Sequence, residues 1–471
     1  MANYDKTLGS IGRVVSFDSF INNDLIHFSN DDLSRSIPNV LDGLKVSQRK
    51  IIYSAFKRNL INEVKVAQFA GYTAEHSNYH SGEKSLEDAI AGLARNYTGS
   101  NNLELLVPKG GFGSRMHNGH DRASARYIFT HLSPITKSIF DPLDKDILDY
   151  RDDDGTSIEP WWYIPIIPMI LVNGAIGIGT GFSTDIPCFN PLDLIEYIIR
   201  KIRDGTQKSL NPWYRGFTGK VIRQSDTSYI TTGVFTETLK DITITELPIG
   251  ISTDKYLENL QKKFDKVFKN ITDLSTDTDI NIILTKKKDG DTLDNPIEYL
   301  KLFTKISYNN MNAFDAESRI RTWATPESII DYFYIIRLNF YAKRKASLLS
   351  ELSKKLKVLS NKIRFIKKVI KKEINISKVS LIELKEILKE LSFDLYEDSY
   401  EYLYKMSLVS LTTDNMNSMK DEQQTQQKIY DTLLNKSEKE LWLEDLEKLK
   451  IGINKLEKVR LDELQKLQRI K

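Results

Sequence analysis

The pattern of apolar positions changes character twice along the chain. From Pro326 onward there is no further proline and only one glycine, Gly452. Apolar residues fall there at Ile335, Leu338, Ala342, Leu349, Leu352, Leu356, Leu359, Ile363, Ile366 and Ile370, in alternating short steps with Lys345 as the polar interruption. Such steps keep one stripe of a helix facing a partner, so they predict a long helix with a heptad seam. A second seam runs through Trp442, Leu446, Leu449, Ile453 and Leu456 and returns at Leu467 and Ile470, with shorter helices expected from Leu381 to Leu408. Two long helices joined by a small helical cap make an antiparallel arm with a tip. Upstream, from about Ile158 to Thr325, short alternating segments such as Tyr229 to Phe235 and Asp241 to Leu247 predict strands, separated by Asn-Pro, Gly and Asp-Gly turns.

The stretch from about residue 31 to 150 reads as mainly helical. Ser47 to Leu60 places Ile51, Ile52, Ala55 and Phe56 on one side, with Arg49, Lys50, Lys57 and Arg58 largely elsewhere. Ser85 to Tyr97 repeats the period through Leu86, Ile90 and Leu93. Short helices followed by a glycine-rich hairpin, Lys109 to Gly113, fit a winged-helix module. Residues 1–30 read as a polar leader with one amphipathic piece, Phe17 to Phe28.

At 471 residues the chain suits two to four domains. Its longest apolar run, near Ile164 to Val172, is broken by Pro165 and Pro168, so no membrane span is expected, and no secretory signal opens the chain. The one cysteine, Cys188, forms no intramolecular disulfide and builds no zinc site, and it points to a reducing, intracellular compartment. A net charge of +3 says little about partners, but its distribution does. Between Arg35 and Lys65 stand Arg35, Lys45, Arg49, Lys50, Lys57, Arg58 and Lys65 against two acids, Asp42 and Glu63. That local excess suits a surface that tracks phosphates.

Candidate chemistry concentrates in Ser124-Ala125-Arg126-Tyr127-Ile128-Phe129-Thr130, with Gly111-Phe112-Gly113-Ser114-Arg115 just upstream. A tyrosine beside an arginine, after a glycine-rich turn, is a candidate nucleophile for a phosphodiester. A free phenol has a pKa near 10, so such a site must help remove the proton and stabilise the charge that builds on phosphorus. Arg126 can supply a fixed planar cation with several donors. By contrast, Asn173 to Gly181 looks like a phosphate-cradling loop but lacks Gly-Lys-Ser/Thr and a dinucleotide-binding fingerprint. The acidic runs Asp152-Asp153-Asp154 and Asp289-Gly290-Asp291 read as solvated loops, so no metal ligands are expected in the chain.

Arg35-Ser36-Ile37-Pro38-Asn39-Val40-Leu41-Asp42-Gly43-Leu44-Lys45, Gln48-Arg49-Lys50, Lys65-Val66-Ala67-Gln68, Tyr79-His80-Ser81-Gly82-Glu83, Gly99-Ser100-Asn101-Asn102 and the tyrosine block follow one another in order. Together they resemble the breakage–reunion region of type IIA DNA topoisomerases, nearest its eukaryotic and large-virus branch, and the resemblance continues almost to Lys471. It implies an α+β multidomain fold. The expected segments are a leader at 1–30, a winged-helix domain with the catalytic tyrosine at 31–157, and a mixed α/β tower at 158–325. A long antiparallel coiled coil at 326–471 would carry a helical dimer gate at its tip, about 378–415. Tyr127 would form the phosphotyrosyl bond, with Arg126, Arg35, Lys45 and His80 as catalytic partners. Arg49, Lys50, Lys57, Arg58, Lys65 and Gln68 would contact double-stranded DNA, and Ile178 would be a wedge between base steps.

Two positions depart from the family's pattern. Ser81 stands where a histidine is usual, and Ile176 where eukaryotic relatives have an acidic residue. The magnesium-binding TOPRIM module and any ATPase motif are missing, so Mg2+ and ATP would be handled by another polypeptide or by a missing N-terminal portion. The expected function is DNA cleavage and religation within an ATP-dependent type II enzyme that works as a homodimer inside the cell. A split enzyme of viral or phage origin is one form in which such a chain would occur. Two alternatives stay open at this level. A tyrosine recombinase or type IB enzyme would place its tyrosine near the chain's end, and a non-enzymatic DNA-binding coiled-coil scaffold would leave the ordered motifs without a purpose.

Overall fold

The structure is a computed structural model. It describes residues 15–262, 267–288, 293–374, 379–407 and 412–470, without the side chains of 464 and 467–470. The chain divides into two compact units, Met1–Arg337 with Leu443–Lys471, and Leu338–Trp442. This division is coarser than the four segments expected from sequence, and the first unit holds both the winged-helix and the tower stretches.

In the first unit, the amphipathic patterns fold as helices Val46–Lys57, Val66–His76 and Glu83–Ala94. Their apolar positions Ile51, Ile52, Phe69, Ala70, Leu86 and Ile90 are fully buried. Beside them lies a three-stranded antiparallel sheet, with Phe129–Leu132 between Val64–Lys65 and Leu106–Lys109. Phe129 is the register partner of both Lys65 and Lys109. The central strand therefore begins two residues after Tyr127, with a neighbour on each side.

The tower stretch holds a four-stranded antiparallel sheet in the order Val234–Glu237, Asp241–Glu246, Ile282–Lys286, Phe268–Asp273. Ile242, Ile244, Leu284, Tyr256 and Leu260 close its core. The segment Tyr229 to Phe235, expected as one strand, is two: Ser228–Thr232 belongs to a separate three-stranded sheet, and Val234–Glu237 to this one. Gly233 lies at the switch, where a Cβ would meet the Glu246 carbonyl oxygen at 2.4 Å. A hairpin of Ala175–Gly179 and Phe182–Ile186 stands apart as its own two-stranded sheet.

The helix Pro326–Ile370 runs for 45 residues and enters the second unit. Its seam is partly offset from the expected stripe. Ile335, Ala342 and Ile370 are exposed, whereas Phe333, Arg337, Phe340, Tyr341 and Arg344 are buried. An aliphatic heptad count misses a face made of aromatic rings and guanidinium groups. Within the second unit, Tyr341 stacks on Trp442 with ring centroids 5.7 Å apart. A small core of Phe365, Ile374, Leu384, Leu388, Phe393 and Leu403 supports the short helices Leu381–Glu390 and Glu401–Tyr404. The helix Glu438–Ile470 follows the second seam, with Trp442, Leu446, Leu449 and Ile453 all buried. Leu408, the Asp289-Gly290-Asp291 turn, and the side chains of Leu467 and Ile470 lie outside the described residues.

Candidate active site and nucleic-acid interface

Tyr127 is 71% exposed, although Ala125 and Ile128 on either side are buried. The cause is a tight turn, in which the Tyr127 amide donates to the Ser124 carbonyl at 2.9 Å. The turn is pinned to the start of the helix Val66–His76, where Ala67 N–H donates to Ala125 O and Val66 N–H to Ile128 O. Backbone and core thus hold the phenol out in solvent on a rigid base. The exposed Arg126 guanidinium lies 5.8 Å from the Tyr127 ring centroid.

The upstream glycine turn serves this base. Gly113, at φ +101°, passes so close to Gly119 that a Cβ would lie 2.6 Å from its Cα. Arg115 is no part of the site: buried, it pairs with Glu246 at 2.6 Å and donates to the Leu247 carbonyl. Asn102 is likewise a tie, its amide reaching the carbonyls of Val172, Phe189 and Trp213.

Arg35 and His80 line a cleft of about 1120 Å³, together with Ser81, Arg151, Trp161 and Arg319. Arg35 is exposed in the last turn of the helix Ile26–Ser36, its Nε donating to the Asp31 carbonyl at 3.3 Å. His80 is exposed as well, with Nε2 3.9 Å from an Asp153 carboxylate oxygen. The acidic run containing Asp153 forms a hairpin turn through Asp154 and Gly155, both at positive φ. Lys45, half-buried at the start of the helix Val46–Lys57, donates from Nζ to the Ile176 carbonyl at 2.8 Å, and its burial pushes the ammonium pKa down. Neither Tyr127 nor Arg126 lines the cleft. One chain therefore brings Arg35 and His80 together and leaves the tyrosine outside.

Among the expected DNA contacts, Lys57, Arg58, Lys65 and Gln68 are exposed. Arg58 lies over the Tyr72 ring at 4.9 Å, and Lys57 over Tyr53 at 5.6 Å. Arg49 and Lys50 need correcting, because neither presents its charge to a ligand. Arg49 is buried and bonds both Asp42 carboxylate oxygens and the Leu44 carbonyl. Lys50 is buried on Glu159 at 2.8 Å and also donates to the Ser77 carbonyl. Each buried cation has a buried carboxylate, so the basic character of the exposed surface survives their removal. A charge count along the sequence cannot see such pairing.

Ile178 is 83% exposed on the hairpin and Ile176 73%. The hairpin is locked from beneath. A Cβ on Gly177 would lie 2.1 Å from the Ser36 carbonyl oxygen, so only glycine allows this approach. Thr180 donates from both amide and hydroxyl to Asp32, at 2.7 and 2.8 Å. The hydroxyl bond first, then the amide, holds the Asp32 carboxyl below its ordinary range.

Sequence reasoning missed the far wall of the cleft. Trp161 is 48% exposed there, and Arg151 stacks on its ring at 5.0 Å while pairing with Glu159. The available signal is an adjacent pair of tryptophans, Trp161 and Trp162, which by itself marks only a change of composition. Among the described residues, no three His, Cys, Asp or Glu side chains converge in a way that could hold a metal ion. No helix among them is long and apolar enough to cross a membrane.

A family model described as DNA gyrase/topoisomerase IV matches residues 35–447. The chain belongs to this family. Its span takes in Arg35, Lys45, His80, the tyrosine turn, the isoleucine hairpin and most of both long helices. The mitochondrial DNA topoisomerase 2 of Dictyostelium discoideum is 38% identical over 461 residues, covering 95% of this chain and 36% of that protein. DNA topoisomerase 2 of Arabidopsis thaliana is 36% identical over 493 residues, covering 94% of this chain and 34% of its own length. The chain thus spans about a third of these relatives. A crystal structure of the Plasmodium falciparum topoisomerase II DNA-binding, cleavage and re-ligation domain superposes with a TM-score of 0.88 at 35% identity, covering 95% of this chain and 66% of that one. The fold is that of a type IIA breakage–reunion region, with a mixed α and β core.

Proposed function

We propose that this chain cleaves and religates duplex DNA as part of a type II topoisomerase, with Tyr127 as the nucleophile. The carrying observation is a tyrosine side chain held out in solvent by a turn whose flanking residues are buried and hydrogen-bonded to a neighbouring helix. In the reaction, the Tyr127 oxygen attacks a backbone phosphorus and loses its proton. The bond from phosphorus to the deoxyribose oxygen breaks, and that oxygen takes up a proton as the 3′ hydroxyl. One phosphate ester replaces another, so the step is nearly balanced in energy and reverses without a ligase cofactor. Arg126 stabilises the developing negative charge, as do Arg35 and Lys45, with His80 beside the phosphate.

Because Tyr127 and the cleft are separate within one chain, a site completed by a second copy in a two-fold dimer fits the geometry. The same dimer would place two tyrosines for a double-strand break, with the tip of the helical arm as a gate. Lys57, Arg58, Lys65 and Gln68 then follow the DNA backbone, and Ile178 opens a base step. The four segments expected from sequence divide this work among a winged helix, a tower and a coiled coil. The resemblance also implies magnesium, and the clusters present among the described residues do not fit that ion. We assign it to a TOPRIM module and ATP to an ATPase module, both outside these residues, in an intracellular enzyme whose branch is the eukaryotic and large-virus one.

The test uses the chain with those modules supplied. Tyr127→Phe should abolish double-strand cleavage and leave duplex binding within about threefold, since only the phenolic oxygen is lost. Undiminished cleavage by the Phe variant would refute the assignment.

A further inference from the structure

Two isoleucines leave the same face of the hairpin, not one. Ile176 and Ile178 are two apart on the strand Ala175–Gly179, so their side chains point the same way, about 7 Å apart along it. Both are largely exposed, at 73% and 83%. Their neighbours across the hairpin are polar: Asp185 is the register partner of Ile176, and Ser183 of Ile178. No apolar surface beside them within the hairpin explains a second projecting isoleucine.

The support beneath Ile176 is at least as firm as that beneath Ile178. Its own carbonyl takes the Lys45 ammonium. Gly177 rests against the Ser36 carbonyl, one residue beyond Arg35. On the return strand, Asp185 N–H donates to the Asn310 carbonyl, and Asn312 donates to the Ser183 carbonyl at 2.7 Å. The side chain thus sits on a base that does not need to fold on binding, with two cations near its root to meet a phosphate backbone.

We propose that Ile176 is a second wedge, entering the minor groove of the bound duplex beside Ile178. This rests on the reading that the hairpin meets double-stranded DNA. A separation of about 7 Å matches about two base steps at 3.4 Å each, so the two side chains would engage steps on either side of one base pair rather than share a single step. Asp185 opposite Ile176 disfavours phosphate at that spot, which leaves base edges and sugars as the surface an isoleucine can meet. Apolar side chains between base steps bend the duplex toward the major groove. Two of them would spread the bend over adjacent steps and make the preferred site sensitive to the stacking of both.

The test places 2-aminopurine at successive positions of a duplex labelled for fluorescence transfer, using the full chain with its magnesium-binding and ATPase modules. On binding, wild type should brighten two positions. Ile178→Ala should silence one and Ile176→Ala the other, each by at least about twofold, with Ile176→Leu restoring the second. Thermal stability should not change, because both side chains are exposed. If Ile176→Ala preserves both positions and the bend while Ile178→Ala loses its own, Ile176 is no wedge and the single-wedge reading stands. A wild-type complex with straight DNA and no brightening would overturn both.

Discussion

At the scale of single residues, burial separates cations that hold the fold from cations that meet a ligand. Arg49 and Lys57 both lie on the helix Val46–Lys57, yet their side chains live in different media. Removing Arg49 leaves the fully buried Asp42 carboxylate without its guanidinium. Arg49→Ala should therefore lower unfolding stability by about 3–5 kcal/mol. Lys57→Ala should change stability by no more than about 0.5 kcal/mol. On DNA the order reverses: loss of one phosphate contact at Lys57 should reduce the slope of log affinity against log salt by about 0.9. Denaturant melts and a salt titration of binding, run on both variants, check the pair. Equal stability losses would mean that Arg49 is not the structural cation described here. The sequence shows basic residues at both positions. Only the pairing partners, Asp42 seven residues from Arg49 and Glu159 more than a hundred residues from Lys50, mark the structural ones.

At the scale of elements, the isoleucine hairpin is the part whose geometry depends most on neighbours distant in sequence. Asp32 ties Thr180 across 148 positions. Its carboxyl titrates below the ordinary aspartate range when folded, chiefly through the Thr180 hydroxyl. A depressed folded pKa means that the contribution to stability is fully present above the unfolded value, about 4, and is lost as pH falls through the folded one. Asp32→Asn should thus melt below wild type at pH 7, and the gap should close as the pH is taken below about 4. A gap that is constant down to the acid limit would place the effect elsewhere. The helices Val46–Lys57 and Glu83–Ala94 were legible from period alone, because one face of each is buried. The strand break at Gly233 and the aromatic face of the long helix were not. The first depends on a backbone contact with Glu246, and the second replaces aliphatic residues with Phe333, Phe340 and Tyr341. Of the site, the Tyr127 turn and Ile178 could be read from motifs. The Trp161 and Arg151 wall could not, since no periodicity or short motif carries it.

At the scale of the whole molecule, a nucleophile outside the cleft that holds Arg35 and His80 has consequences for assembly. The chain should sediment as a dimer, bind duplex DNA with an affinity that falls steeply as salt rises, and barely cut it with magnesium alone. A stable monomer in sedimentation would contradict the gate assignment. Efficient magnesium-dependent cleavage by the chain alone would contradict the assignment of the ion to another module. The most direct test of the central claim is to trap the cleavage complex with denaturant, digest protein and DNA, and locate the nucleotide adduct by mass spectrometry. The account predicts a 5′ phosphoryl adduct on the peptide containing Tyr127 and on no other tyrosine; an adduct on a different residue, or cleavage with no covalent protein–DNA bond, would contradict it.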